Sequence, residues 1–127
     1  MRVLVVDDQL GVRTTLIMAL QSAGFDVVAA ENGAAALKEF ASSRFDVAII
    51  DVYMPGVDGV KLIKTFRERR SDFPIVAMSG VLLGDSERTA LDFIVSMPGM
   101  SNVTCLKKPF RMPELLTALR TAVEMAA

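Results

Sequence analysis

Short apolar runs alternate with longer stretches of helical periodicity along this chain. Arg2 to Val6 reads as a strand, and Leu10 to Ala23 as a helix whose Val12, Leu16, Ala19 and Leu20 share one face before Gly24 ends it. Asp26 to Ala30 is a second strand, and Asn32-Gly33 leads into a helix through Phe40, with Ala36, Leu37 and Phe40 inward. Val47 to Ile50 is a third strand, followed by a turn at Met54-Pro55-Gly56 and a helix near Asp58 to Arg69 with Leu62, Ile63 and Phe66 in the core. Pro74 to Met78 reads as the fourth strand and Asp85 to Met97 as a fourth helix, which Pro98-Gly99 breaks. Val103 to Leu106 is the fifth strand, and Pro113, at a first-turn position, opens a last helix with Leu115, Leu116, Leu119 and Val123 inward.

Five strands alternating with five helices imply an α/β fold with a parallel sheet and helices on both faces, because right-handed crossovers distribute them that way. Runs of four to six apolar residues broken by charge suit strands covered on both faces. The flavodoxin-like (βα)5 order 2-1-3-4-5 fits this count, and it sets strands one and three side by side with a crevice at their carboxyl ends. Chemistry-bearing residues sit at those ends. Asp7-Asp8 follow the first strand, Asp51 the third, and Lys108 the fifth.

Composition narrows what these residues do. The 127 residues fit one domain, expected to span 1–127 with no output domain in this chain. Fourteen basic residues against fifteen acidic ones give no global attraction to nucleic acid or acidic lipid. No apolar run approaches the roughly 20 residues of a membrane span, and Asp7-Asp8 come too early for a secretory leader, so a cytoplasmic location is expected. A single cysteine excludes an internal disulfide. The absence of histidine excludes histidine-based acid–base chemistry and most zinc sites.

Three carboxylates gathered in one pocket repel one another and call for a cation. Oxygen ligands without His or Cys select Mg2+, Mn2+ or Ca2+, and Mg2+ is held by one or two carboxylates with waters and phosphate oxygens. Asp7, Asp8 and Asp51 suit such a site. Any one of them alone reads equally well as a helix cap; the set, together with Lys108, does not.

The segments VLVVDD at Val3 to Asp8, Asp51-Val52-Tyr53-Met54-Pro55-Gly56-Val57-Asp58-Gly59, Ser79-Gly80 after Ile75 to Met78, and Lys107-Lys108-Pro109-Phe110 stand in this order. Through them the chain resembles the response-regulator receiver domain of two-component signalling over almost its whole length. The resemblance implies that Asp51 is a phosphoacceptor, taking a phosphoryl group from a phosphohistidine of a sensor histidine kinase or a histidine phosphotransfer protein. It implies Mg2+, with Mn2+ as a substitute, held by Asp8 and Asp51, by Asp7 directly or through water, and by the backbone carbonyl of Tyr53. Lys108 would pair with one phosphate oxygen and Ser79 would donate its hydroxyl to another. Lys108 is chosen over Lys107 because the family lysine directly precedes proline, and the Lys108-Pro109 peptide is expected to be cis. Phosphorylation would draw Ser79 inward and reshape the loop after the fourth strand, and with it the surface of the fourth helix, fifth strand and fifth helix that meets a downstream protein. Such a domain is not an enzyme beyond its own phosphorylation and dephosphorylation.

The chain departs from the family pattern at several points. Cys105 stands where an aromatic switch residue is usual, and reads as a small buried hydrophobe. The stretch between Ser79 and Lys108 is longer than usual, and its Phe93, Ile94, Met97 and Met100 offer either core or an apolar patch for a partner or a dimer mate. Tyr53 and Val81 flank the path of attacking water and would slow hydrolysis. Lys61, Lys64, Arg67, Arg69 and Arg70 read as a solvated face, with no direct nucleic-acid contact and no membrane contact expected. Three alternatives stand beside this reading. A phosphatase of the haloacid-dehalogenase type needs a second acid two residues after the nucleophile, where this chain has Tyr53. A nucleotide-binding domain would need a glycine-rich loop after strand one. A degenerate receiver acting as a phosphorylation-independent scaffold is the main alternative.

Overall fold

A computed structural model describes residues 1–54, 57–79 and 103–126. Its main sheet contains β1 (Arg2–Val6), β2 (Asp26–Ala30), β3 (Val47–Asp51), β6 (Ile75–Ser79) and β7 (Thr104–Lys107), all parallel, in the order β2-β1-β3-β6-β7. Counted along the main sheet alone this is the order 2-1-3-4-5 expected from the alternation of runs. Two further two-residue strands, β4 (Tyr53–Met54) and β5 (Val57–Asp58), pair antiparallel just after β3. Of the turn expected at Met54-Pro55-Gly56, Pro55 and Gly56 lie outside the described residues. So do the predicted fourth helix, its Pro98-Gly99 break, Val81, and the patch of Phe93, Ile94, Met97 and Met100.

The described helices are α1 (Leu10–Ser22), α2 (Gly33–Ser42), α3 (Gly59–Arg69) and a C-terminal helix, Met112–Ala126. None of these is long and apolar enough to cross a membrane. Period-two alternation in the strands sorts the core into two layers. Leu4, Val6, Ala48, Ile50, Ile75 and Ala77 face Ala36 of α2 and Leu62, Ile63 and Phe66 of α3. Val3, Val5, Val47, Ile49, Val76, Met78 and Leu106 face Leu16 and Leu20 of α1 and Leu115, Leu119 and Ala122 of the C-terminal helix. Leu37 and Phe40 pack against the first layer and Val12 and Val123 against the second, each partly buried.

Helix ends follow local chemistry. The Asn32 side chain accepts a hydrogen bond of 2.8 Å from the Ala35 N–H and so caps α2. Gly24, at φ 94°, closes α1: its N–H donates to Gln21 O, and the Phe25 N–H to Leu20 O. That left-handed turn is strained for any residue with a side chain, which is why a glycine ends this helix.

Two expectations fail. Arg67 and Arg70, read as part of a solvated face, are half-buried and donate to the carbonyl oxygens of Phe73 and Phe45. Cys105 is exposed, not buried. It lies on β7, an edge strand of the sheet among the described residues, and alternation turns it away from the layer that buries Leu106.

Candidate functional site

Register carries the site. Val6 of β1 lies beside Ile50 of β3, so Asp7 and Asp51, each one residue further on, arrive side by side at the carboxyl ends of adjacent strands. Asp51 itself is in register with Met78 of β6. Asp51 also continues the alternation of Val47 and Ile49, which points it to the face covered by α1 and the C-terminal helix. From the fifth strand of the sheet, Lys108 enters on that same side, two residues past Leu106. Its peptide bond to Pro109 is cis, as expected.

The result is a compact ionic cluster. Ligand oxygens of Asp7, Asp8 and Asp51 all lie within 4.8 Å of one another. Lys108 Nζ stands 3.0 Å from Asp7 Oδ2 and 3.2 Å from Asp51 Oδ2. Asp7 and Asp51 are buried, while Asp8 is exposed at the mouth of the site. Three carboxylates against one ammonium leave a formal charge of −2 in this cluster. That excess, presented entirely by oxygen donors, matches a hard divalent cation. Asp7, Asp8 and Asp51 are the residues positioned to hold it.

Burial alone would lower the pKa of Lys108, but its hydrogen bond to Asp7 and the charges of Asp51 and Asp7 outweigh that and raise it above the ordinary value of 10.5. The lysine is therefore cationic throughout the physiological range. Lys108 also lines, with Gly11, Val12, Thr15, Leu16, Pro109 and Phe110, a mostly apolar hollow of about 400 Å3.

Asp7 is held at every polar atom. Its N–H donates to Ala30 O at 3.2 Å. Its Oδ1 accepts from the Gln9 N–H at 2.9 Å, and its carbonyl accepts from Arg13 Nη1 at 2.8 Å. With Oδ2 given to Lys108, Asp7 is the fixed member of the trio. Of the other residues singled out by sequence, Ser79 is the last residue of β6, in register with Lys107, and Tyr53 begins the short hairpin two residues after Asp51. Lys107 is exposed and Lys108 half-buried.

Two residues escaped the sequence reading. Arg13 is one; as the single charged residue within α1 it was visible. The other is the part played by Gly59. A Cβ there would stand 2.5 Å from Val52 Cα and 2.7 Å from the Asp51 carbonyl oxygen. Only a residue without a side chain lets α3 start directly against the backbone that carries Asp51.

Comparison with known proteins agrees with this geometry. The chain is 34% identical over 119 residues to the DNA-binding transcriptional regulator NtrC of Escherichia coli K12, covering 94% of this chain and 24% of that protein. It is 33% identical over 122 residues to the transcriptional regulatory protein FixJ of Bradyrhizobium diazoefficiens, covering 96% of this chain and 56% of that one. The chain thus spans between a quarter and just over half the length of these relatives. Among solved structures, response regulator protein TrrA of Thermotoga maritima, in complex with Mg2+–BeF, superposes with a TM-score of 0.78 at 29% identity, over 95% of this chain and 97% of that one. The family model for the response regulator receiver domain matches residues 3–120, and the chain belongs to that family.

Proposed function

We propose that this chain is a Mg2+-dependent phosphoacceptor in which Asp51 receives a phosphoryl group from a phosphohistidine on a sensor kinase or a histidine phosphotransfer protein. The observation that carries the reading is the cluster of Asp7, Asp8 and Asp51 closed by Lys108, with its uncompensated negative charge. A carboxylate attacks phosphorus only when its own charge and that of the phosphoryl group are offset. Lys108 would then pair with an oxygen of the transferred group, a reading supported by its 3.2 Å contact with Asp51 Oδ2. A bound Mg2+ supplies the remaining neutralisation of the phosphoryl oxygens. Related TrrA was crystallised with Mg2+–BeF, which supports a cation and a phosphoryl-like group at this type of site.

In the transfer, an Asp51 carboxylate oxygen forms a bond to phosphorus as the bond from phosphorus to the donor imidazole nitrogen breaks, and the nitrogen keeps the electron pair. Asp8 and Asp51 would hold the cation, Asp7 would act directly or through a water, and the backbone carbonyl of Tyr53 would be a further ligand. Ser79, closing β6, donates its hydroxyl to the new phosphoryl group. The charge gained, about −1.5 to −2, then alters the surface offered to a downstream protein. The chemistry is confined to the domain's own phosphorylation and dephosphorylation.

The test is incubation with acetyl phosphate and Mg2+. Label should appear on Asp51 as an acyl phosphate and vanish in Asp51→Asn. Label retained by the variant would refute the assignment, and an unlabelled wild-type protein would favour a scaffold that works without phosphorylation.

A further inference from the structure

We infer that Arg13 is a positioning residue for the metal site, acting through the backbone of the Asp7-Asp8 loop; the inference rests on the Mg2+-binding reading above. Arg13 occupies an early position of α1, where its side chain runs back toward the helix start, as long side chains on helices do. There its Nη1 donates 2.8 Å to the carbonyl oxygen of Asp7, the residue directly before Asp8. The placement runs against local helix electrostatics. A cation near a helix N-terminus opposes the macrodipole, and α1 has no acidic residue in its first turn. Nor does the N-cap residue Gln9 make a side-chain capping bond. The β1–α1 junction is instead fastened by Arg13 on the Asp7 carbonyl and by Asp7 Oδ1 on the Gln9 N–H.

This matters most for Asp8. Its side chain is exposed and makes no hydrogen bond or ion pair among the described residues, so only the backbone fixes the point from which its carboxylate reaches the other two. Asp7 fastened before it and the Gln9 N–H bonded after it fix that point. Arg13 is thus an outer support of the kind whose loss weakens metal affinity about 10- to 100-fold.

The sign of the effect separates this role from its rival. If Arg13 acted only as a nearby positive charge it would repel Mg2+, and its removal would tighten binding; a positioning role predicts the reverse. Mg2+ is titrated calorimetrically into the wild-type chain, Arg13→Met, which keeps the apolar stem, and Arg13→Lys, which keeps a donor, with Tm measured for each. Arg13→Met should bind Mg2+ about tenfold or more weakly at little change in Tm, with Arg13→Lys recovering part of the loss. Its acetyl-phosphate labelling should be slow at low Mg2+ and approach the wild-type rate at saturating Mg2+. Unchanged or tighter binding in Arg13→Met overturns the inference, and so does a loss that merely tracks a falling Tm in both variants. Failure of the wild-type chain itself to bind Mg2+ would instead sink the underlying reading of the site.

Discussion

Lys108 reaches across 57 residues of sequence to place its Nζ 3.2 Å from Oδ2 of Asp51. The contact ties the end of the last strand to the middle of the sheet. Because Asp51 and its neighbour Asp7 are both buried, the ammonium, among the described residues, offsets part of the cost of their burial.

Replacing Lys108 by Met should therefore destabilise the metal-free protein by about 3–5 kcal/mol, the usual cost of leaving a buried charge unpaired. Mg2+ should recover more stability in this variant than in the wild-type chain, since the cation then supplies the missing positive charge. Denaturant unfolding with and without Mg2+ measures both effects. Equal Mg2+ stabilisation of the two proteins would mean that lysine and cation do not share the same carboxylates.

The same pairing gives an alkaline signature. The folded-state pKa of Lys108 is raised above its ordinary value, so the folded protein holds this proton more tightly than the unfolded chain does. The corresponding stability is complete below about pH 10.4, the unfolded lysine value, and is lost as pH rises through the higher folded value. Unfolding midpoints followed from about pH 9 to pH 11 should fall more steeply for the wild-type chain than for Lys108→Met. Parallel curves would show that the lysine gains nothing from its partners.

Asp7 and Asp8 are adjacent in sequence but differ in what they hold. Asp7 is buried, and its carboxylate bonds the Gln9 N–H and Lys108; Asp8 is exposed. Asp8→Ala should leave stability within about 0.5 kcal/mol while weakening Mg2+ binding. Asp7→Ala should lower stability by about 1–3 kcal/mol even without metal, because two donors lose their acceptor. Calorimetric Mg2+ titration and thermal unfolding of both variants separate the roles. A pair of variants alike in both measurements would contradict them.

How much of this was legible in the sequence depends on what kind of signal each residue leaves. The unbroken apolar runs Val3 to Val6 and Val47 to Ile50 announce strands covered on both faces, and their carboxyl-end acids follow once the strands are parallel neighbours. Asn32 and Gly24 announce helix ends because each leaves one backbone solution. Cys105 was misplaced because a run of apolar letters does not reveal which strand lies at the edge of a sheet. Arg13 was passed over because its partner is a backbone carbonyl, which has no letter in the sequence. Gly59 was quoted within a motif, yet its reason is a close approach between α3 and β3 that only the folded chain contains.

That approach yields the sharpest structural prediction. Any Cβ at position 59 meets backbone atoms of Asp51 and Val52, not the yielding tip of a side chain, so either α3 or the end of β3 must shift. Ala has the higher helix propensity, worth up to about 1 kcal/mol over Gly inside a helix and less at its first residue, so on local grounds alone Gly59→Ala would be mildly stabilising. The clash should win, costing about 1–3 kcal/mol net as overpacked sites typically do. Since the displaced backbone is that of Asp51, Mg2+ affinity should fall along with stability. Denaturant unfolding and Mg2+ titration of Gly59→Ala check both, and a variant as stable as the wild-type chain would show that α3 is not pressed against the Asp51 backbone in solution.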